Sequence, residues 1–141
     1  MTIVYIDPRK SSGIQVPIRV QVKMARDYCS EQNLDFALPI TESFIDTESP
    51  ILEEWICTSK EDIVVYSHMF FNRKKTVSTM QRVIKSQKAV GDRMVHITFS
   101  NRKLTMSDLL NEIESIMRFA SYGMGIQKLL CYLDSEHRKN D

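Results

Sequence analysis

The sequence predicts an α/β domain built on a mainly parallel central sheet. Short apolar segments typical of strands alternate along the chain with segments whose apolar residues recur at helical spacing. The clearest strand, Ile63–Tyr66, is apolar at every position, as expected for a strand covered on both faces of a parallel sheet. The composition agrees, because 43% hydrophobic and 26% charged residues are typical of a folded globular domain.

The length of 141 residues suits a single domain. We expect a core over residues 1–105, a long C-terminal helix over about 106–133 and a disordered tail over about 135–141. No apolar segment approaches the ~18 consecutive residues that a membrane span needs, and the first residues lack the basic start of a secretory signal. We therefore expect a cytoplasmic protein that does not contact a membrane.

The first predicted strand is the β-branched and aromatic segment Thr2–Ile6, which Asp7 and Pro8 bring to an end. After a loop, Pro17 is suited to the start of a helix that we expect to end near Asn33. One stripe of that segment is apolar at steps of four, three and four residues, at Ile18, Val22, Ala25 and Cys29. This spacing predicts a helix with one buried face.

Four further elements are predicted, two before the central strand and two after it. A weaker strand is predicted over Phe36–Ile40, where Pro39 restricts it to a sheet edge or a bulge. Ser49 and Pro50 are the expected N-cap and first position of a short helix. After the central strand, a helix is indicated by Val77, Met80 and Ile84. A last strand is indicated by the alternating apolar positions Val95, Ile97 and Phe99.

The strongest local signal is a helix start in the segment Leu104–Leu109. Thr105 is placed to cap the helix, Asp108 stands at its third position as the reciprocal acid, and Leu104 is spaced to pack on Leu109. No proline follows, so we expect this helix to run to about Leu133. Such a helix of about 28 residues would be ~42 Å long, more than one small sheet covers.

Two apolar stripes run along this long helix. The first consists of Leu109, Ile113, Ile116 and Ala120. The second has the alternating three- and four-residue steps of a coiled coil, and its members are Phe119, Tyr122, Ile126, Leu129 and Leu133. We interpret the second stripe as a homodimer interface. The alternative is a second contact within one chain, for instance with the first helix.

The charged residues are arranged in two blocks of opposite sign. Residues 30–62 hold nine acidic residues and one basic residue, although the whole chain has a net charge of only +1. Residues 73–103 hold one acid against nine bases, namely Arg73, Lys74, Lys75, Arg82, Lys85, Lys88, Arg93, Arg102 and Lys103. The basic block indicates a face for DNA or for an acidic protein surface. The alternative is that the acidic and basic blocks face each other within the fold.

The sequence offers no signal for a metal or a cofactor. Cys29, Cys57 and Cys131 lie far apart and are interpreted as buried thiols. The three histidines lack the spacing of a metal site, and no glycine-rich phosphate-binding loop is present. His68 follows the central strand, where open α/β sheets often bind ligands, but we interpret it as a loop histidine. We therefore expect no metal and no small-molecule cofactor.

A cluster of aromatic residues precedes the basic block. His68–Phe71 is followed by Asn72–Lys75, which contains three bases. Exposed aromatic rings beside bases are typical of surfaces that stack nucleic acid. The alternative, which we favour, is that these rings complete the core beneath a charged loop.

The order of predicted elements resembles the catalytic domain of the serine recombinases, the resolvases and invertases. The supporting residues are Tyr5 near the end of the first strand, Phe44–Asp46 after the second, Glu61–Val65 at the central strand and Met106 at the start of the long helix. The resemblance covers almost the whole chain. It implies a three-layer, resolvase-like domain with a mainly parallel sheet and a long C-terminal helix.

The catalytic residues of that family are not matched. Its members carry a Tyr-x-Arg-Val-Ser pattern after the first strand, which here places Asp7 at the arginine and Arg9 at the nucleophilic serine. Ser11 or Ser12 replaces the nucleophile only if the loop is shifted. In the family's Asp-Arg-Leu-x-Arg pattern after the central strand, Arg73 matches the last position alone. The resemblance therefore implies a degenerate member without the catalytic motif.

Elementary chemistry leads to the same expectation. Attack of a serine on a phosphodiester develops negative charge, which several positioned cations must stabilise. The stretch 27–72 contains no arginine. An acid at Asp7 would repel the phosphate.

We therefore expect a non-catalytic regulatory or assembly protein. It would dimerise through its long helix and bind DNA or an acidic protein surface through its basic segment. The alternative is a divergent serine recombinase that cleaves DNA through Ser11 or Ser12, with Arg9 and Arg73 neutralising the phosphate.

Overall fold

The computed structural model describes residues 2–10, 15–43, 47–86 and 93–121. The strands within these ranges are β1 (Thr2–Ile6), β2 (Ile40–Thr41), β3 (Asp62–Val65), β4 (Met94–Ile97) and β5 (Arg102–Thr105). The helices are α1 (Ile18–Glu31), α2 (Pro50–Thr58), α3 (Lys74–Ser86) and α4 (Met106–Ser121), with a short 3-10 helix over His68–Phe71. None of the helices in the described ranges is both long enough and apolar enough to cross a membrane.

The strands form one sheet in the order β2-β1-β3-β4-β5. The first four strands are parallel, and β5 pairs with β4 in the antiparallel direction. This confirms the predicted α/β class with a mainly parallel sheet. The strand that follows β1 along the chain, β2, lies at one edge of the sheet. The strand that follows β3, β4, lies toward the opposite edge.

Helices cover both faces of the sheet. On one face, Val4, Ile6 and Val64 pack with Ala25 and Cys29 of α1. The opposite face packs against α2, α3 and α4 through the larger core cluster, which includes Tyr5, Ile63, Val65, Val95, Ile97, Leu52, Met80 and Leu109. The central strand β3 is therefore covered on both sides, which explains why it is apolar beyond its first residue.

The edges of the sheet depart from the sequence predictions. The predicted strand over Phe36–Ile40 is reduced to the two residues of β2, which begins only after Pro39. Phe99 is not part of β4 but lies in the following turn, where it is 67% exposed. The edge strand β5 was not predicted, because Arg102 and Lys103 make it largely polar.

The predicted helix starts are confirmed, but only one of the two predicted caps is. The N–H of Asp108 donates to the Thr105 hydroxyl at 3.1 Å, so Thr105 caps α4. Ser49 directly precedes α2 and Pro50 is its first residue, yet the Ser49 side chain makes no capping hydrogen bond. That hydroxyl accepts a hydrogen bond from Arg9 instead.

Candidate functional site

The candidate site lies at the carboxyl end of β1, where Asp7, Pro8 and Arg9 follow the strand. Connections leave β1 and β3 toward opposite edges of the sheet, and open α/β sheets bind ligands at such a position. The side chains of Asp7 and Arg9 are nevertheless buried, with exposed fractions of 0% and 6%. Buried charges are tolerated where they are paired, so their partners determine what this site can do.

Arg9 and Asp7 form a bidentate ion pair. Nε of Arg9 donates to Oδ1 of Asp7 at 2.9 Å, and Nη2 donates to Oδ2 at 3.0 Å. The backbone N–H of Arg9 also donates to Oδ1, at 3.0 Å. Two parallel charge-assisted hydrogen bonds are among the strongest interactions between side chains. The carboxylate therefore holds both the backbone and the guanidinium group of Arg9.

The segment before α2 binds the rest of the guanidinium group. Nη2 of Arg9 donates to Oγ of Ser49 at 2.8 Å, and Nη1 donates to the backbone carbonyl of Glu48. Burial acts to lower the pKa of Arg9, but the hydrogen bonds and the charge of Asp7 outweigh it and raise the pKa above its ordinary value. Arg9 therefore stays charged, and its charge is neutralised inside the fold.

Gln21, near the start of α1, holds the backbone of the same turn. Its Oε1 accepts a hydrogen bond from the N–H of Asp7 at 3.1 Å. Its Nε2 donates to the carbonyl of Asp7 at 2.7 Å and to that of Val16 at 2.9 Å. Because Gln21 is itself fully buried, it fixes the end of β1 to the start of α1.

Glu42, directly after β2, is a second buried acid beside this site. Its carboxylate accepts the backbone N–H groups of Ile51 at 3.3 Å and Leu52 at 3.1 Å, and so it caps α2 in place of Ser49. Its Oε1 also accepts the hydroxyl of Tyr5 at 3.0 Å. Burial, followed by the charges of Asp7 and Glu42, raises the pKa of Tyr5 well above its ordinary value. Tyr5 therefore remains a hydrogen-bond donor.

The site is a filled polar network rather than a pocket for an anion. A phosphate that approached Arg9 would have to displace Asp7, and the carboxylate would repel it. Through these hydrogen bonds, the guanidinium group of Arg9 links the end of β1 to the segment before α2. The geometry supports a structural role for these groups.

The residues assigned to the alternative, a divergent recombinase, are only partly described. Ser11 and Ser12 lie outside the described residues. Nη1 of Arg73 donates to the carbonyl of Thr47 at 2.8 Å. Arg9 and Arg73 therefore both bind the short segment before α2, and this is where the structure brings them together.

Four of the predicted basic residues lie on α3. Lys74, Lys75, Arg82 and Lys85 are all exposed, and α3 contains no acidic residue. Positions 74, 78, 82 and 85 recur at steps of four, four and three and therefore share one face of the helix. Lys88 lies outside the described residues. We refer to the face formed by Lys74, Arg82 and Lys85 as the α3 basic face.

The two predicted basic residues on β5 lie elsewhere. Lys103 is opposite His96 in the sheet and therefore points to the side covered by α1. Arg102 is opposite Ile97 and points to the side of α4, where it forms an ion pair with Glu112. The structure thus separates Lys103 from the α3 basic face, which lies on the other side of the sheet.

The acidic and basic blocks of the sequence meet where α2 packs against α3. Nζ of Lys75 lies 3.9 Å from a carboxylate oxygen of Glu53. Arg93 is buried and donates to three carbonyls at the end of α2, those of Trp55, Ile56 and Ser59. The two blocks therefore face each other in part, while the α3 basic face points outward.

The predicted dimer stripe lies outside the described side chains. The backbone of α4 is described to Ser121, and the stripe consists of Phe119, Tyr122, Ile126, Leu129 and Leu133. Of the first stripe, Leu109 and Ile113 are fully buried in the core and Ile116 is half-buried. The first stripe thus packs on the domain, and Ala120 is not described beyond its backbone.

No metal site is found among the described residues. His68 is half-buried, and burial lowers its pKa while Glu112 and Arg102 act on it with opposite signs. His96 is buried between the hydroxyl of Tyr28, 2.7 Å from its Nδ1, and the carboxylate of Asp62, 3.1 Å from its Nε2. Its hydrogen bonds therefore account for its burial without a metal.

Two of the three cysteines are described. Cys29 is buried as predicted, and burial raises the pKa of its thiol. Cys57 is exposed on α2, so its interpretation as a buried thiol was wrong. It occupies the outer side of the helix, beyond the positions that pack on the core. Cys131 lies outside the described residues.

The comparisons with known proteins add no family assignment. No protein-family model matches this sequence, and no curated protein is detectably similar to it.

Proposed function

We propose that this chain is a non-catalytic, resolvase-like regulatory or assembly protein, which dimerises through the C-terminal part of its last helix and binds DNA or an acidic protein surface through the α3 basic face. The observation that carries the proposal is the Asp7–Arg9 ion pair. It occupies the place of the catalytic arginine and serine in the resembled family, and within it the charge of Arg9 is neutralised inside the fold.

The order of elements supports the resolvase-like part of the proposal. The chain runs through β1, α1, β2, α2, β3, α3, β4 and α4, in the order on which the resemblance rests, with β5 inserted before the last helix. The site at the end of β1 departs from the family in chemistry rather than in position. A domain with this order of elements, in which the charge of Arg9 at the end of β1 is neutralised, is suited to binding rather than to bond cleavage.

The α3 basic face supports the binding part. Lys74 and Lys85 are eleven residues apart, which corresponds to about 16 Å along the helix. Arg82 lies between them on the same face, and α3 lacks any acid that would neutralise the three. An exposed row of cations attracts a polyanion by releasing its counterions, and duplex DNA carries about one charge per 1.7 Å of its axis.

The experiment is a titration of duplex DNA by fluorescence anisotropy at several salt concentrations. The double variant Arg82→Glu, Lys85→Glu should bind at least about tenfold more weakly than wild type. It should also reduce the salt dependence, since the loss of two phosphate contacts lowers the slope of log affinity against log salt by about 1.8. The matched control is Arg19→Glu with Lys60→Glu, which makes the same two charge changes at exposed positions away from α3.

The control distinguishes an effect of the α3 basic face on DNA affinity from an effect of the protein's overall charge. Equal losses in the two double variants would mean that the α3 basic face has no special role. If wild type shows no salt-sensitive binding to duplex DNA, the DNA half of the proposal fails. The same variants would then be titrated with polyglutamate as a probe for the acidic protein surface.

One observation favours the divergent recombinase as the second candidate. Arg9 and Arg73 both bind the segment before α2, so two arginines do approach each other near the end of β1. This candidate requires that Asp7 release Arg9 when DNA binds and that Ser11 or Ser12 act as nucleophile. It therefore predicts a covalent protein–DNA adduct.

A further inference from the structure

Phe99 is the most exposed aromatic side chain among the described residues. It lies in the turn 98–101 between β4 and β5, and 67% of its surface is exposed. Phe70, Phe71 and Trp55 are by contrast buried in the core. The fold therefore gains little from the ring of Phe99. The rings of Phe70 and Phe71 complete the core, as favoured from the sequence, and do not form a stacking surface.

The backbone that carries the ring of Phe99 is nevertheless held in a defined position. The backbone N–H of Phe99 donates to the carbonyl of Tyr66 at 3.1 Å, and that of Thr98 donates to the carbonyl of Val65 at 2.9 Å. Asn101 closes the turn with a positive φ of 52°, a conformation that asparagine adopts more readily than most residues. The turn between β4 and β5 is therefore fastened to the end of β3.

Contacts with other aromatic rings support Phe99. Its ring centroid is 5.4 Å from that of Tyr66, and the two rings are tilted by 47°. The ring of Tyr66 lies 6.3 Å from that of Phe70, which in turn lies 6.4 Å from that of the fully buried Tyr5. A row of rings thus leads from the core to the surface, and Phe99 and Tyr66 form its outer end. We call these two residues the Phe99 platform.

Cations lie on both sides of the Phe99 platform. Arg102 and Lys103 follow the turn directly and are exposed. Arg102 forms an ion pair with Glu112, but exposed ion pairs contribute little free energy, so a phosphate can replace this carboxylate, unlike the buried carboxylate of Asp7. Their cross-strand partners are Ile97 and His96, so the two cations point to opposite faces of the sheet. A nucleic-acid strand that crosses the edge of the sheet over Phe99 would meet one cation on each side.

We propose that the Phe99 platform stacks an unpaired base of single-stranded nucleic acid, whose neighbouring phosphates are bound by Arg102 and Lys103. Every base has an aromatic face, so an exposed ring beside cations binds single strands without requiring a particular sequence. The inference rests on the proposed function in taking nucleic acid as the partner. It assigns the single strand to a different surface from the α3 basic face.

The test compares two fluorescein-labelled oligonucleotides by anisotropy, a short oligothymidine and an abasic oligomer with the same number of phosphates. Phe99→Ala should weaken oligothymidine binding by about 5- to 150-fold, the range expected for one stacked base. Phe99→Tyr keeps the ring and should bind within about twofold of wild type, by the same stacking argument. Leu38→Ala is the matched control, because Leu38 is 91% exposed and lies at a distance in the chain from the platform.

Each result of this test either supports or overturns the proposal that Phe99 stacks a base. The abasic oligomer should bind wild type more weakly and be insensitive to Phe99→Ala. Oligothymidine affinity that is unchanged in Phe99→Ala, equal losses for both oligomers, or no binding of oligothymidine to wild type would each overturn the proposal. Duplex binding serves as the separate readout, since Phe99→Ala should leave it unchanged while Arg82→Glu with Lys85→Glu reduces it.

Discussion

The carboxylate of Asp7 accepts two hydrogen bonds from the guanidinium group of Arg9, from Nε at 2.9 Å and from Nη2 at 3.0 Å. Both side chains are buried, and they are only two residues apart at the end of β1. The pair is therefore local to the turn that follows the strand. It leaves the charge of Arg9 compensated at the position where the resembled family would bind a phosphate.

Removal of Asp7 should destabilise the domain strongly. Asp7→Ala leaves a buried arginine without its counter-charge, and breaking a buried pair in this way costs about 3–5 kcal/mol in the free energy of unfolding. Urea denaturation measures this difference. The control is Asp27→Ala, which removes an exposed pair with Lys23 at 3.1 Å and should cost less than about 0.5 kcal/mol. A similar, small cost for Asp7→Ala would show that the pair is not formed.

Tyr5 should make the domain less stable at alkaline pH. Burial raises the pKa of Tyr5 in the folded state above its ordinary value of 10.0, so the unfolded chain releases this proton first. The contribution is fully present below about pH 10 and declines above it, by about 1.4 kcal/mol for each pH unit. Tyr5→Phe should lack this decline. The free energy of unfolding is measured for wild type and Tyr5→Phe from pH 8 to 11. Parallel curves for the two proteins would contradict the account.

Arg93 should be required for the packing of α2. Its guanidinium group donates to the carbonyls of Trp55 and Ile56 and lies 4.6 Å from the centre of the Trp55 ring. Arg93→Ala should lower the free energy of unfolding by about 2–4 kcal/mol, since several buried carbonyls lose a charged donor. Arg93→Lys keeps the charge but not the planar fork, and should recover less than half of the loss. Full stability of Arg93→Lys in urea denaturation would show that charge alone suffices.

The dimer should depend on the second stripe of the last helix. Ile126→Asp with Leu129→Asp places two charges in the predicted coiled-coil interface and should yield monomers in sedimentation equilibrium. The matched control is Gln127→Asp with Lys128→Asp, which introduces the same side chains at positions off the stripe. A monomeric wild type, or an unchanged mass of the Ile126 and Leu129 variant, would remove the dimer from the proposal.

Apolar patterning was sufficient to predict most of the elements. The strand β3 was predicted because burial on a sheet requires apolar residues at fixed spacing. The predicted stripe of α1 was only partly right, because Ala25 and Cys29 are buried whereas Ile18 is 47% exposed and the polar Gln21 is buried instead. The cap of α4 was predicted because it is local, with Thr105 only three residues before Asp108. These features depend on residues that are close to one another in the sequence, so the sequence alone is sufficient to predict them.

The polar part of the site was not predicted, because it joins residues that are distant in the sequence. Ser49 had the position of an N-cap, yet its hydroxyl binds Arg9 from forty residues away. Glu42 caps α2 from ten residues before Leu52, and no spacing rule indicates such a contact. The only available signal was the presence of acids next to predicted strand ends, at Asp7 and Glu42, where parallel strands bring polar groups together.

The most direct test of the account is an attempt to trap a covalent complex. Wild-type protein is incubated with end-labelled duplex DNA of varied sequence, and each sample is divided between a native gel and a denaturing gel. We predict a complex on the native gel that weakens with salt, and free DNA alone on the denaturing gel. A labelled protein–DNA adduct that survives denaturation, and is absent from the Ser11→Ala, Ser12→Ala variant, would contradict the account.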